Sequence, residues 1–352
     1  MAMEILNEGR KYPKEWIASF THMEKFAPLA ISDFLYIEVR LNFKVLEKYK
    51  GRKIVYMDME EPNRFFVSNP VFRRDAYEYD FYKILTMCPF TAVWLNKKQG
   101  SERRTPVFYP VDDELAPPKE EKIYDIIYSG GLYSDWLFAD VKTISKFKYN
   151  FIAHNGALTY KFFPNLYVIG KIKQLFPRFK NMFEGGRRYI TKSNIPHLEK
   201  WKIMAQTKIT LVHNIVPCSV SNLANIYGTD GWEDNEAFRL LPRPNLFTPL
   251  TAIFNRLRGK TYIVPQLKSR AFEAALCRSL ILCRRDEFNV IERFFEPDKE
   301  FVYYEPGKLE EKVREILANF DAYQPIIENA YQKVKKEYTT QRFFEKYLKN
   351  LT

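Results

Sequence analysis

The pattern of apolar and polar positions along the chain alternates between short buried runs and helix-spaced stretches. The clearest instance spans Pro265 to Glu305. Phe272, Ala275, Leu276, Ser279 and Leu280 fall at the i, i+3, i+4, i+7, i+8 spacing of a buried helix face. The all-apolar run Leu280–Cys283 follows, of the kind a strand covered on both sides requires, and a second run comes at Phe301–Tyr304. Upstream, Phe34–Ile37, Lys53–Asp58, Phe81–Leu85 and Val107–Pro110 read as strands, with a helix over Pro89–Leu95. Residues 112–122 are charged, hold Pro117-Pro118 and lack periodicity, so they read as a linker. The strand-to-helix pattern then restarts at Tyr124–Gly131. It continues through Tyr149–Ala153, Leu166–Ile169, an amphipathic helix at Pro196–Thr207, and Ile209–Val212. Residues 214–264 are irregular, with Leu250–Arg258 weakly amphipathic. Helical spacing returns over Lys308–Leu317, Tyr323–Tyr338 and Gln341–Leu351. This alternation predicts two parallel α/β domains with a helical C-terminal tail.

Composition narrows the class. With 352 residues and 46% hydrophobic positions the chain can bury two cores. A formal net charge of +12 points to an anionic partner: a phosphorylated ligand, an anionic membrane surface or nucleic acid. Cys88, Cys218, Cys277 and Cys283 form no CxxC and read as buried free thiols. No signal sequence and no run of 18 apolar residues is visible. The expectation is a cytoplasmic protein, at most associated with a membrane surface.

Candidate chemistry lies where strands end. In an open parallel sheet the loops after strand C-termini line the ligand crevice. The polar loop after Lys53–Asp58 offers Asp58, Glu60, Glu61 and Arg64. Gly130-Gly131 follows an apolar strand and lets backbone approach a ligand closely; a plain tight turn is the alternative. Lys268 and Arg270 precede the helix bearing Glu273. Two cations and a carboxylate there suit a phosphorylated sugar, the cations taking phosphate and the carboxylate hydroxyls. Simple complementation of the helix dipole by Glu273 is the competing reading. His22, His154, His197 and His213 show no metal spacing.

Four passages resemble nucleotide-sugar-dependent glycosyltransferases of the GT-B fold, in the family-4-like and spore-maturation-protein-like groups of group 1 transferases. They are YDFYKILTMCPFTAVWLN (79–96), VFYPVDDELAPPKEEKIYDIIYSGG (107–131), MAQTKITLVHN (204–214), and KSRAFEAALCRSLIL with FFEPDKEFVYYE (268–282 and 294–305). The resemblance implies two Rossmann-like domains facing across a cleft. Residues 1–116 would form the acceptor-side domain, 117–122 the linker and 123–325 the donor domain. Helices over 326–352 would pack back toward the first. It implies transfer of a sugar from a nucleoside-diphosphate sugar to a glycan, lipid-linked or protein acceptor, with no metal or other cofactor. Glu273 would take the donor ribose hydroxyls, and Lys268 and Arg270 the diphosphate. Gly130 and Gly131 would form the turn facing the phosphates, with Lys208 near the cleft. A general base would come from the N-terminal half, among His22, Asp33, Glu38, Asp58, Glu60 and Glu61, with His22 and Glu61 singled out. The chain departs from the family pattern in having Arg278 where a glycine is usual. Pro265 stands where a paired glutamate is usual. The competing class is a non-catalytic basic α/β protein that binds nucleic acid. No RRM, KH or helix-turn-helix signature supports it, and the expected partners exclude nucleic acid.

Overall fold

The computed structural model describes residues 30–31, 55–58, 81–132, 134–153, 187–218, 220–245 and 262–348. The expected strands Phe34–Ile37 and Leu166–Ile169, and the amphipathic segment 250–258, lie outside them. The chain divides into two compact units. The first gathers 1–114, 220–267 and 335–352, and the second 115–219 and 268–334. The irregular segment after residue 214 thus groups largely with the first unit, whereas the linear expectation kept it in the donor domain.

The first unit holds a parallel four-stranded sheet in the order β1 (Ala30–Ile31), β2 (Val55–Asp58), β3 (Lys83–Thr86), β4 (Arg104–Pro106). The expected strand at Val107–Pro110 is displaced. Pairing with β3 occupies 104–106, and the last ladder bond runs from the Val107 amide to the Thr86 carbonyl at 2.9 Å. A charged residue hides this strand in the sequence. Arg104 is buried and gives Nη1 to Gln99 Oε1 at 2.7 Å. Helix α1 (Pro89–Gln99) starts on a proline, buries Thr91, Ala92, Trp94 and Leu95, and stops at Gly100 in the left-handed region (φ 58°). Residues 230–235 pack on it. Trp94 Nε1 donates to the Gly231 carbonyl at 2.8 Å, and Asn235 Nδ2 to Thr91 Oγ1 at 3.3 Å.

The second unit is built on a six-stranded, all-parallel sheet. Its strands are β5 (Tyr124–Ser129), β6 (Tyr149–Ala153), β7 (Lys192–Ser193), β8 (Thr207–Val212), β11 (Leu280–Arg284) and β12 (Val302–Tyr304). Two short strands, β9 (Ile215–Pro217) and β10 (Ile263–Pro265), lie between β8 and β11 in the chain. The spatial order is β12-β11-β8-β5-β6-β7. The chain therefore winds outward from β5 in one direction, then returns to begin again at β8 on the other side. The central strands are buried almost throughout, as parallel strands covered on both faces must be. Ile126, Ile209, Leu211, Leu280 and Leu282 pack with Leu137 and Val141 of α2 (Asp135–Ile144) and Val313 and Ile316 of the later helix Leu309–Ala318.

The remaining helices are α3 (His197–Ala205), α4 (Val220–Tyr227), α5 (Arg270–Leu276), α6 (Leu309–Ala318), α7 (Gln324–Glu337) and α8 (Thr340–Phe343), the last continued by a wider turn to Leu348. Around α8, Tyr338, Phe343 and Tyr347 stack against Phe108, with ring centres 5.0–5.6 Å away, inside the first unit. Helix α5 is shorter than its apolar spacing predicts, because Leu280 already belongs to β11. It ends in a Schellman motif. The Ser279 amide bonds the Ala274 carbonyl at 2.9 Å and the Arg278 amide the Ala275 carbonyl at 3.0 Å. Arg278 itself takes the left-handed position with φ 50°. Its guanidinium lies 3.5 Å from the centre of the Tyr331 ring, and its carbonyl accepts from Lys122 Nζ at 2.7 Å. All four cysteines are buried and none is in a disulfide, and burial pushes the Cys218 thiol up to about 12. Among the described residues no helix is long and apolar enough to cross a membrane.

Candidate functional site

The reversal of winding between β5 and β8 marks the edge at which open parallel sheets usually take ligands. At such a switch point the two following connections leave in opposite directions and open a crevice beyond the strand C-termini. Gly130 follows β5 directly, and His213-Asn214 follows β8.

Arg270, at the start of α5, is brought to this edge. It is 9% exposed, and its guanidinium lies 4.8 Å from the centre of the Tyr128 ring. Gly130 makes room for it. A Cβ added at Gly130 would stand 2.3 Å from Arg270 Nη2, and the backbone there has φ 145°. The glycine expected to admit a phosphate thus admits an arginine that can meet one. Gly131 turns the chain onward, its carbonyl accepting from Tyr128 Oη at 2.8 Å. Lys268 is partly exposed, and its amide donates to Asn214 Oδ1 at 3.1 Å, which ties the loop before α5 to the end of β8.

Glu273, one turn into α5, is 5% exposed and accepts at Oε2 from Lys200 Nζ of α3 at 2.7 Å. Burial alone would push its carboxyl up. Lys200 first, then His197 and Arg270, outweigh that and hold it at about 2. Lys200 escaped the sequence reading, yet it left a signal. It shares a helix face with His197, Trp201 and Met204, and a cation among apolar positions needs a buried partner.

A second buried group sits at the same edge. His213 is fully buried, with Nε2 at 3.0 Å from Asp140 Oδ2 and 2.8 Å from Tyr304 Oη. Tyr304 also donates to Asp140 Oδ2 at 2.8 Å, and Arg284 Nη1 stands 3.5 Å from the same oxygen. Burial lowers the His213 pKa, Asp140 opposes this, and Arg270 and Arg284 add to it. The His213 ring lies 5.8 Å from Tyr128, so this network continues beneath Arg270.

Arg270, Glu273, Gly130, Gly131 and Lys268 therefore share one edge of one sheet. Lys208 does not. It is the second residue of β8, beside Asp125 at the start of β5, with Nζ 3.5 Å from Asp125 Oδ1. That is the opposite edge, about 13 Å back along the strand at the usual rise per residue. Asp58 ends β2. His22, Asp33, Glu38, Glu60 and Glu61 lie outside the described residues.

Comparison with known proteins agrees with this architecture. Residues 222–349 match the family model described as Glycosyl transferase-like. No curated protein matches the chain. Among solved structures, Anabaena Alr3699/HepE in complex with UDP-glucose superimposes with a TM-score of 0.53 at 10% identity, covering 92% of this chain and 78% of that one. Sucrose-phosphate synthase from Thermosynechococcus elongatus gives 0.51 at 9% identity, over 94% and 73%. A variant of S. aureus TarM bound to fondaparinux, alpha-GlcNAc-glycerol and UDP gives 0.52 at 9% identity, over 95% and 58%. The chain thus has the GT-B fold of Rossmann-like parallel sheets, and over its C-terminal third it is similar to the group 1 glycosyltransferases.

Proposed function

We propose that the chain is a glycosyltransferase that moves a sugar from a nucleoside-diphosphate sugar to a hydroxyl of a glycan, lipid-linked or protein acceptor. The observation that carries this reading is the convergence of Arg270, Lys268 and Glu273 on the β5/β8 switch point. The leaving group of such a transfer is a diphosphate, so negative charge grows on its oxygens as the sugar–oxygen bond breaks. Arg270, fixed against Tyr128 and Gly130, is a cation placed in advance, and a prepositioned donor of this type supplies about 2.7–4 kcal/mol at the transition state. Arg270 and Lys268 take that charge in the role a metal ion fills elsewhere. Glu273 accepts from donor ribose hydroxyls. HepE and TarM, which share the fold, were crystallised with UDP-glucose and UDP, and these compounds are the first to try.

The test is a thermal-shift screen with nucleoside diphosphates and nucleotide sugars, followed by calorimetry with and without EDTA. A true donor at 100 times its Kd raises stability by about 2.7 kcal/mol. Binding of at least one compound, insensitive to EDTA and weakened in Arg270→Met, is the expected result. A flat response across the panel would remove the reading.

A further inference from the structure

The residue that sequence reasoning passed over, Lys200, occupies a defined place relative to Glu273. Its side chain is 9% exposed and that of Glu273 is 7% exposed. The two come from different helices, α3 and α5, on either side of β8 in the chain. Their contact is one charge-assisted hydrogen bond, from Lys200 Nζ to Glu273 Oε2 at 2.7 Å. Among the described residues, Oε1 of Glu273 makes no hydrogen bond. A carboxylate tied to a buried helix through its side chain and clamped at one oxygen cannot rotate freely about its Cγ–Cδ bond. Its other oxygen then points along one direction, ready to accept.

We propose that Lys200 is a positioning residue, which clamps Oε2 of Glu273 so that Oε1 is presented to a ribose hydroxyl of the nucleotide. The inference rests on the donor-binding reading above and extends it to a residue outside the loop that carries Arg270. Lys200 touches no reacting atom. It acts through Glu273, and it sets how sharply the site distinguishes ribose from deoxyribose. Burial would otherwise favour the protonated carboxyl, which carries an O–H donor and is a weaker acceptor than the carboxylate. The Lys200 charge opposes that outcome as well as fixing the geometry.

Calorimetry with UDP and its 2′-deoxy and 3′-deoxy analogues tests this on the full chain. The wild type should bind UDP about tenfold or more tightly than at least one analogue, the ratio that loss of a charge-assisted hydrogen bond gives. In Lys200→Met that ratio should fall to about threefold or less, with UDP itself bound about tenfold more weakly, again one such bond. Lys200→Arg, which restores a cation, should recover most of the discrimination. Should Lys200→Met fail to give a cooperative melt, Lys200→Gln, which retains a neutral and weaker donor, takes its place and should give a ratio below that of the wild type. A wild type that discriminates, beside a folded Lys200 variant that discriminates equally, would overturn the positioning role and leave the donor-binding reading standing. A wild type that binds neither UDP nor any other nucleoside diphosphate would end both.

Discussion

The packing of Arg270 against Gly130 makes a prediction that separates two reasons for a glycine at this turn. If Gly130 exists only so that a ligand can approach the backbone, Gly130→Ala should fold normally and lose only affinity. The geometry says otherwise. The new Cβ would stand 2.3 Å from Nη2 and 2.8 Å from Cζ of Arg270, at a residue whose φ is 145°. Two costs follow. Holding an alanine in that backbone region costs about 1–3 kcal/mol whatever surrounds it. The guanidinium must also leave the Tyr128 face, which forfeits about 0.5–2 kcal/mol of cation–π attraction at a buried site. Gly130→Ala should therefore destabilise by about 3 kcal/mol, the sum of the middles of those ranges. Only the second cost depends on Arg270. Urea denaturation of the wild type, Gly130→Ala, Arg270→Ala and the double variant, followed by circular dichroism, measures the coupling. We expect Gly130→Ala to cost less in the Arg270→Ala background, by about 0.5–2 kcal/mol, while the backbone cost persists. Additivity to within about 0.5 kcal/mol would refute the argument that the glycine makes room for the arginine.

Three further outcomes are expected. Acid should act in two stages: His213 is held below its ordinary value by burial, so stability begins to fall as the unfolded chain takes up a proton near pH 6.5. Glu273, ionised down to about pH 2 in the fold, adds a second loss between about pH 4.5 and 2, on the order of 3 kcal/mol, and Lys200→Met should shrink that second stage in pH-dependent urea unfolding. Tyr304→Phe removes a hydroxyl that meets both Asp140 and His213 and should cost about 1–3 kcal/mol, whereas a change under about 0.5 kcal/mol would show the network to be idle. Asp298, at φ 60°, should gain up to about 1 kcal/mol as glycine, while Arg278→Gly should be near neutral because it gives up the Tyr331 face, and melting temperatures of the two variants decide between them.

The second unit was largely legible because its strands are short apolar runs that a parallel sheet demands, and β8 and β11 fall where the sequence places them. The candidate residues near the chain's own turns were placed where the sequence suggests: Arg270 and Glu273 lie at a helix start, and Gly130 follows a strand. What escaped depends on distant partners. Lys200 acquires meaning only beside Glu273, which lies 73 residues away. Strand β4 was masked by Arg104, a buried cation whose Nη1 donates to Gln99 Oε1. The grouping of 220–267 with the first unit rests on contacts such as Trp94 to Gly231, and no local pattern announces a partner 137 residues away. Lys208 misled for a different reason: strand periodicity gives the face of a residue but not which end of the sheet carries the ligand.

The end of α5 has a kinetic consequence. A glycine after a helix is a local stop signal, legible to the chain as soon as the helix forms. Arg278 carries no such instruction. Beyond the local Schellman bonds, its left-handed backbone gains support once the guanidinium lies on Tyr331, a residue of α7 that is 53 positions later in the chain. Before α7 docks, α5 is free to run on past Cys277 into residues that must become β11, and the two elements compete for the same segment. The stop is therefore read late in folding, after a long loop has closed. Substitutions at Tyr331 should raise the unfolding rate and leave the folding rate nearly unchanged, the signature of a contact made after the barrier.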